Sequence, residues 1–267
     1  MVLSGLDCEP RTRGATARRL VLCRALEPVY GLARVVAYPI RPVIRIRMGG
    51  QFVIPREGPV LLASNHVSVL DPLAMLWLGE CTRRKVRFLA MAELWDSPVL
   101  RFFLVGTKQI PVARETSAAG EALVSAASAL RDGEFLAMYP EGGVSEDLEA
   151  MPGKTGIARL AAMTGVPVTP VGVWGMQRLW PRKPRRRRLR VGVGVSIAVG
   201  EPVPVGPDED IFDATDRIMT GVADTVARAR RLYPWTPKRG DDGWWVRGPE
   251  TAVMRPARRG RTMDRWS

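Results

Sequence analysis

From Pro59 onward the chain alternates short apolar runs with longer stretches of helical character, and this alternation constrains the fold more than any other sequence feature. Apolar runs of about four to eight residues, bounded by turn residues, are typical of buried strands. Strand–helix–strand repetition favours parallel pairing, because parallel neighbours need a crossover connection. The predicted fold class is therefore α/β, with a central, mostly parallel sheet flanked by helices. The predicted strands are 59–63, 86–90, 108–112, 134–139, 168–173 and 189–199. One apolar helix is predicted from about Leu73, and three further helices are predicted at 118–130, 157–164 and 211–232.

The segments on either side of this region differ from it in composition. Between Leu20 and Ile46, arginines and prolines interrupt the apolar residues, so neither a membrane span nor a signal peptide is predicted. Amphipathic helices at a membrane interface fit this stretch, and helices that cover a core fit it equally well. The predicted divisions are a flexible basic tail (1–16), an N-terminal interfacial helical region (17–58), the α/β domain (59–233) and a loosely ordered basic tail that contains tryptophans (234–267).

The charge of the chain predicts an anionic partner. The sequence has 40 Lys and Arg against 27 Asp and Glu, a net charge of +13. The densest cationic block is Arg182–Arg190, which is either a lipid contact or a solvated loop. Three widely spaced cysteines and one histidine exclude a zinc site and a disulfide framework, and they favour a reducing, cytosolic setting.

His66 is the only histidine, and it lies in the sequence S-N-H-V-S-V-L-D-P. The flanking pattern places it in the turn between a buried strand and an apolar helix, with Asp71 as the predicted N-cap and Pro72 as the first helical residue. A tight turn lets the Asp71 carboxylate fold back onto the imidazole ring. The alternative is a buried structural histidine with a separate capping aspartate.

Three further blocks follow in a fixed order: K-Q-I-P-V-A-R from Lys108, Y-P-E-G-G-V-S from Tyr139 and V-P-V-T-P-V from Val166. With the His66 block they make the chain resemble the glycerolipid acyltransferases, specifically the lysophosphatidate (1-acylglycerol-3-phosphate) O-acyltransferase family. That family carries N-H-x-x-x-x-D, K-x-x-P-x-x-R, F-P-E-G-T-R-S and V-P-[IV]-x-P-V. The resemblance covers about residues 20–232, and the ordered set is far more specific than any single block.

The resemblance implies transfer of a fatty acyl chain from an acyl thioester to the free hydroxyl of a lysophospholipid, namely 1-acylglycerol-3-phosphate, to give phosphatidate. Neutral His66 would act as general base and Asp71 would orient it, without an acyl-enzyme. By the same resemblance, the acceptor and its phosphate would be bound by Lys108, Arg114, Glu141 and Gly142.

The third block departs from the family pattern, since Gly143 and Val144 replace Thr-Arg. A cation that would clamp the phosphate is therefore missing, and valine cannot replace its bidentate contact. Lys108 and Arg114 would then bind the phosphate alone, or Lys154 or Arg159 would substitute. Lys154 is the best substitute, because it follows in a glycine-rich turn. The alternative is acyl transfer, or transacylation, to a different lysolipid or glycolipid acceptor.

The resemblance implies no cofactor, with acyl-coenzyme A or acyl-acyl carrier protein as co-substrate, and no metal. Expected partners are an anionic membrane surface and the lysophospholipid acceptor, at the cytoplasmic face of the cell membrane in a peripheral or monotopic position. A nucleic-acid-binding protein is a competing hypothesis, but no aromatic residues are interleaved with the arginines. An inactive membrane scaffold is another, and the intact His66 and Asp71 argue against it.

Overall fold

The computed structural model of the protein describes residues 44–50, 53–112, 118–180, 192–237 and 243–246. Within these residues, seven strands form a single sheet with helices on both faces. The strands are β1 (Ile44–Gly49), β2 (Val60–Ser64), β3 (Val86–Met91), β4 (Ile110–Val112), β5 (Phe135–Met138), β6 (Val168–Trp174) and β7 (Val193–Val199). The helices are α1 (Asp71–Thr82), α2 (Pro98–Gly106), α3 (Ala118–Arg131), α4 (Gly156–Thr164) and α5 (Ile211–Leu232), with 3-10 helices at Ala92–Asp96 and Met176–Arg178.

The strand order is β1-β7-β6-β2-β5-β3-β4. Every neighbouring pair is parallel except β6 and β7, which are antiparallel. The predicted α/β class with a mostly parallel sheet is therefore confirmed. The edge of the sheet at which β2 to β6 all end is called the carboxyl edge below. Because β7 runs the opposite way, both β7 and its parallel partner β1 begin at this edge.

The sheet separates two apolar layers. Successive residues of β2 alternate between them: Leu61 and Ala63 pack with helices α3, α4 and α5, whereas Val60 and Leu62 pack with α1. Both layers are closed, so the central strands β2, β6 and β7 are buried along their whole length. Such two-sided burial explains why these strands are continuous apolar runs in the sequence.

Helix α5 is the longest described helix, and its predicted bounds, 211–232, are confirmed. Asp210 caps its start, because the Asp210 carboxylate accepts hydrogen bonds from the N–H groups of Phe212 and Asp213 at 2.9 and 3.0 Å. The helix lies close against β6 at Gly172, where a Cβ atom would lie 2.2 Å from the Thr225 backbone. Only glycine permits this approach.

The structure differs from the predicted divisions at both ends of the α/β region. Residues 44–49, placed in the helical region 17–58, form strand β1, so the sheet begins before residue 59. Trp245, placed in the loosely ordered tail, is buried, and Trp235 lies against Gly194 of β7. Helix α2 was not predicted. No described helix is both long and apolar enough to cross a bilayer.

Candidate active site

The turn that joins β2 to α1 holds His66 against a buried carboxylate. The Nδ1 atom of His66 lies 2.9 Å from Oδ2 of Asp71. The same oxygen accepts hydrogen bonds of 2.7 Å from the backbone N–H groups of Val67 and Ser68. Three consecutive residues thus wrap around one carboxylate oxygen, which is the local geometry that lets a spacing of five residues bring ring and carboxylate together.

This contact sets the tautomer of the His66 ring. An ionised carboxylate accepts hydrogen bonds and donates none, so Nδ1 carries the hydrogen and Nε2 keeps its lone pair. The ring also stacks on Tyr139, with centroids 4.3 Å apart and planes inclined by 22°. The side chain remains partly exposed. In this tautomer the lone pair lies on Nε2, which is the atom at which a general base takes up a proton.

The Asp71 carboxyl is fully buried. Its pKa is raised above the ordinary 3.8 because burial outweighs the opposing effects of the His66 hydrogen bond and charge and of the Ser68 and Val67 N–H groups. Its Oδ1 atom has no hydrogen-bond partner among the described residues. A desolvated carboxylate in contact with an imidazole favours the charged imidazolium, so Asp71 can stabilise the ring as it takes up a proton.

Asp71 is not the N-cap of α1, contrary to the prediction. The N-cap is Leu70, Asp71 is the first helical residue, and no side-chain hydrogen bond caps the helix. The predicted start is one residue late, because the carboxylate turns back to Val67 and Ser68 instead of forward to the first turn of the helix.

Asn65 and Ser68 attach the turn to the neighbouring part of the sheet. The Asn65 Nδ2 donates to the Val173 carbonyl at 3.0 Å, and its Oδ1 accepts from the Val173 N–H at 2.8 Å. The Ser68 hydroxyl donates to the carbonyl of Trp180 at 2.8 Å. Asn65 is not among the site residues predicted from the sequence. Its position before the only histidine was the available signal, but its partner lies 108 positions away.

A second turn, which follows β5, lies directly beside the first. The Ser145 N–H donates to the His66 carbonyl at 2.6 Å. In the opposite direction, the His66 N–H donates to Oε1 of Glu141 at 3.4 Å. The second turn therefore contacts both the backbone N–H and the backbone carbonyl of His66. Glu141 is a neighbour of the histidine rather than a separate surface group.

Gly142 and Lys154 lie together at this second turn. Gly142 has a φ of +67°, a left-handed conformation that favours glycine. A Cβ atom at this position would lie 2.7 Å from Cε and 3.1 Å from Nζ of Lys154. The lysine side chain therefore crosses the open face of the glycine, and its ammonium group stands at the turn that contacts His66.

Glu141 is buried, and its pKa is raised well above the ordinary 4.5. Burial is the main cause, and the negative charges of Asp71 and Asp147 act in the same direction, whereas N–H donors of His66 and Met151 lower it. Its Oε2 atom has no hydrogen-bond partner among the described residues. Burial thus raises the pKa of both neighbouring carboxyls, and that of Glu141 is raised well above its ordinary value.

Lys108 lies away from these groups. It is exposed, with a φ of +55°, in the turn before β4, three strands from β2. Its carbonyl accepts from Arg87, whose guanidinium pairs with Glu134 just before β5 begins. Because the backbone of Lys108 is left-handed and not extended, β4 starts at Ile110 and not at the predicted residue 108. The structure does not bring Lys108 to His66, and Arg114 lies outside the described residues.

The described part of the chain contains no group of three or more histidine, cysteine, aspartate or glutamate side chains that could hold a metal ion. The polar groups around His66 are instead one imidazole, two buried carboxyls, the Tyr139 hydroxyl and the Lys154 ammonium. This donor set suits proton transfer and recognition of an anionic group.

Residues 45–174 match the family model described as Acyltransferase, so the His66–Asp71 turn belongs to an acyltransferase-class domain. The match begins at Arg45, in agreement with the place of β1 in the sheet. Together with the relatives below, the match makes the chain similar to glycerolipid acyltransferases of the lysophosphatidate acyltransferase type.

Among the relatives, the 1-acyl-sn-glycerol-3-phosphate acyltransferase of Borreliella burgdorferi is 27% identical over 132 residues, covering 49% of this chain and 52% of that protein. The lyso-ornithine lipid O-acyltransferase of Rhizobium meliloti is 29% identical over 137 residues, covering 51% of this chain and 44% of that protein. The lysophospholipid acyltransferase LPCAT4 of Homo sapiens is 30% identical over 173 residues, 63% of this chain and 31% of that protein. The chain therefore spans about half or less of these relatives.

The crystal structure of the 1-acyl-sn-glycerophosphate acyltransferase PlsC from Thermotoga maritima has the same fold. It superposes with a TM-score of 0.58 at 23% identity, over 84% of this chain and 86% of that chain. The similarity extends well beyond the residues that the family model matches.

Proposed function

We propose that the chain is an O-acyltransferase that moves a fatty acyl chain from an acyl thioester to the free hydroxyl of a lysophospholipid, with 1-acylglycerol-3-phosphate as acceptor and phosphatidate as product. The observation that carries this proposal is the His66–Asp71 pair, with Nδ1 and Oδ2 2.9 Å apart and Nε2 left as the proton acceptor. The family model that residues 45–174 match, and the substrates in the names of the relatives, support the same reaction class.

In the proposed reaction the acceptor hydroxyl oxygen attacks the thioester carbonyl carbon while His66 Nε2 removes the hydroxyl proton. A bound hydroxyl is a weak nucleophile, and a base placed within hydrogen-bond reach contributes about 10²–10⁴-fold. The tetrahedral intermediate then expels the thiolate, which takes the proton from His66. Asp71 stays ionised throughout, holds Nδ1 and stabilises the imidazolium, and the protein forms no acyl-enzyme.

The negative oxygen of that intermediate needs hydrogen-bond donors, and four backbone N–H groups of the β2–α1 turn already donate elsewhere. The N–H groups of Val67 and Ser68 already donate to Asp71, and those of Leu70 and Asp71 donate to oxygens of Ser68. These four N–H groups hold the turn around the base and are not available to a new anion.

For the acceptor phosphate, Lys154 supplies a cation at the second turn, beside Gly142 and next to the Glu141–His66 contact. A lysine there compensates in charge for the arginine that Val144 replaces, although a single ammonium is not a bidentate clamp. We therefore assign the phosphate to Lys154, with Arg114 as a second candidate, and we do not assign it to Lys108.

A second acceptor class is supported by one specific observation, the valine at position 144 in the turn where Lys154 lies beside Gly142. A lysolipid without a phosphomonoester, such as the one named in the Rhizobium relative, needs no bidentate clamp. In this variant of the proposal the chemistry at His66 is unchanged, and only the acceptor headgroup differs.

The test is thiol release from palmitoyl-coenzyme A by the purified chain with vesicles that contain lysophosphatidate, measured beside His66→Ala. Release that depends on the acceptor and is lost in the variant is expected. Release with lysophosphatidylcholine or a lyso-ornithine lipid, but not with lysophosphatidate, would transfer the assignment to the second acceptor class. No release with any acceptor, with acyl-acyl carrier protein also tried as donor, would contradict the proposal.

A further inference from the structure

Helix α2 is almost wholly apolar, yet none of its residues is buried. Its sequence, P-V-L-R-F-F-L-V-G, has one charged residue, Arg101. Val99 is 67% exposed, Phe102 55% and Val105 57%, and their spacing of three puts them along one side of the helix. A helix in a soluble domain normally buries its apolar side, so a continuous exposed apolar stripe marks a contact surface.

The helix begins at the edge of the sheet that carries His66. β3 ends at the carboxyl edge, where Met91 is exposed, and the 3-10 helix Ala92–Asp96 leads directly into α2. β3 is separated from β2, which leads into His66, only by β5. The exposed stripe of α2 therefore starts on the side of the molecule from which substrates would reach the histidine.

The β2–α1 turn itself exposes apolar groups at this edge. Its polar side chains, Ser68 and Asp71, are fully buried, whereas Val69 is 52% exposed. The Ser68 hydroxyl holds the backbone of Trp180, whose side chain is 46% exposed. An exposed valine and an exposed tryptophan thus add apolar surface beside the buried polar groups of this turn.

Charge at the same edge favours an anionic surface as the occupant. The sequence between Trp180 and Gly192 contains seven cations in residues 182–190. Both flanking residues lie at the carboxyl edge, since β6 ends there and the antiparallel β7 begins there. The 43 residues before Ile44, which are rich in arginine and apolar residues, also join the sheet at this edge, because β1 is parallel to β7.

We propose that the carboxyl edge, through the start of α2, Val69 and Trp180, is the face that docks on an anionic lipid bilayer, with the apolar side chains among the acyl chains and the cations at the headgroups. Exposed apolar residues beside a cationic stretch, with a tryptophan at the boundary, match the layered polarity of a membrane interface. The acceptor lysolipid would then enter the site from the bilayer without crossing water. This inference rests on the proposed function for the identity of the lipid substrate, but not for the docking itself.

The experiment is co-sedimentation of the full chain with phosphatidylcholine vesicles, with and without phosphatidylglycerol. The test variant is Val99→Ser/Phe102→Ser. The matched control is Val124→Ser/Met163→Ser, which removes similar apolar area, 60% and 45% exposed, from helices α3 and α4. We expect wild type and control to bind anionic vesicles, and the α2 variant to have a partition coefficient at least about tenfold lower, because buried apolar area drives insertion.

Equal partitioning of the α2 variant and the control would overturn the proposal. So would a wild-type dimer that the α2 variant converts to a monomer, because a second copy would then cover the stripe. Acyl transfer to a short-chain, water-soluble acceptor separates this inference from the proposed function. The α2 variant should retain that activity. If wild type shows no acyl transfer at all, but the α2 substitutions still abolish vesicle binding, the docking face would stand and the proposed function would fail.

Discussion

The two neighbouring turns at the carboxyl edge each bury one carboxyl, and the two carboxyls have different protonation behaviour. Asp71 Oδ2 receives a ring nitrogen at 2.9 Å and two backbone N–H groups at 2.7 Å. Glu141 Oε1 receives the His66 N–H at a longer 3.4 Å and a further backbone N–H from Met151. The pKa of Asp71 is raised by burial, and that of Glu141 is raised much further from its ordinary value.

The difference shows that burial alone does not decide whether a carboxyl keeps its charge. Desolvation raises both pKa values, and the number, length and charge of the hydrogen bonds then separate them. Asp71, beside an imidazole that can become positive, is the group suited to act as a carboxylate. Glu141, which faces the negative charges of Asp71 and Asp147, is suited to act as a neutral hydrogen-bonding group.

The largest expected effect is on acyl transfer, and it tests this division directly. Asp71→Asn replaces an acceptor of three hydrogen bonds by an amide that cannot stabilise an imidazolium and that favours the wrong ring tautomer. We expect kcat to fall by about 10³–10⁴-fold. Glu141→Gln, which resembles a protonated glutamate, should lower kcat by less than about tenfold. Both are measured by thiol release with the acceptor identified for the wild type.

Equal losses in Asp71→Asn and Glu141→Gln would break the comparison, because Glu141 would then act as a carboxylate. Circular dichroism of both variants controls for misfolding. A large loss that appears in KM rather than kcat for Glu141→Gln would instead place that residue in acceptor binding.

The sequence predicted the first turn better than the second, and the reason is the range of the contacts. The His66–Asp71 pair closes within five residues, so an apolar strand, a short turn and a helix start are enough to predict it. The Asn65–Val173 bridge depends on the pairing of β2 with β6, and the Lys154–Gly142 contact depends on how the chain returns after the second turn.

Among the fold elements, α5 was predictable because its apolar period and its Asp210 cap agree. Strand β1 was missed because alternating arginines in I-R-I-R-M-G follow an arginine-rich helical pattern, and only its position at the sheet margin makes that alternation a strand. Lys108 was misplaced because a motif gives the order of residues but not the strand to which each belongs. Three strand spacings separate its turn from β2.

The next effect is on stability, and it compares how firmly the two turns are anchored. Asn65→Ala removes both hydrogen bonds to Val173 and leaves a buried N–H and a buried carbonyl without these partners. We expect the free energy of unfolding to fall by about 2–4 kcal/mol, measured by urea denaturation. Ser145→Ala, which removes hydroxyl bonds to Asp147 and Glu149 in the second turn but keeps its N–H bond to His66, should cost less. The reverse order would show that the second turn holds the first.

A smaller effect concerns pH and follows from the raised pKa of Glu141. The folded state binds this proton more tightly than the unfolded state, so its contribution to stability is complete below the ordinary pKa of 4.5 and is lost as pH rises through the raised folded value. Glu141→Gln cannot titrate. Its free energy of unfolding should therefore fall less than that of wild type as pH rises from 4.5. Asp71 titrates with the same sign in wild type and in Glu141→Gln, so the difference between their curves of unfolding free energy against pH isolates Glu141. Parallel curves would mean that Glu141 is ionised in the folded state.

The smallest effect is expected at Tyr139, which stacks on His66. Its hydroxyl is buried without a hydrogen-bond partner among the described residues, and burial together with the Asp71 charge raises its pKa. Tyr139→Phe keeps the stacked ring and removes only the unpaired hydroxyl. Since no hydrogen bond is lost, the free energy of unfolding should change by less than about 1 kcal/mol, toward greater stability, and kcat should stay within about threefold of wild type. A loss in kcat of tenfold or more, with unchanged stability and KM, would show that the hydroxyl contacts the reacting groups in the substrate complex. Tyr139, and not Glu141, would then be the neutral hydrogen-bonding group that acts beside His66.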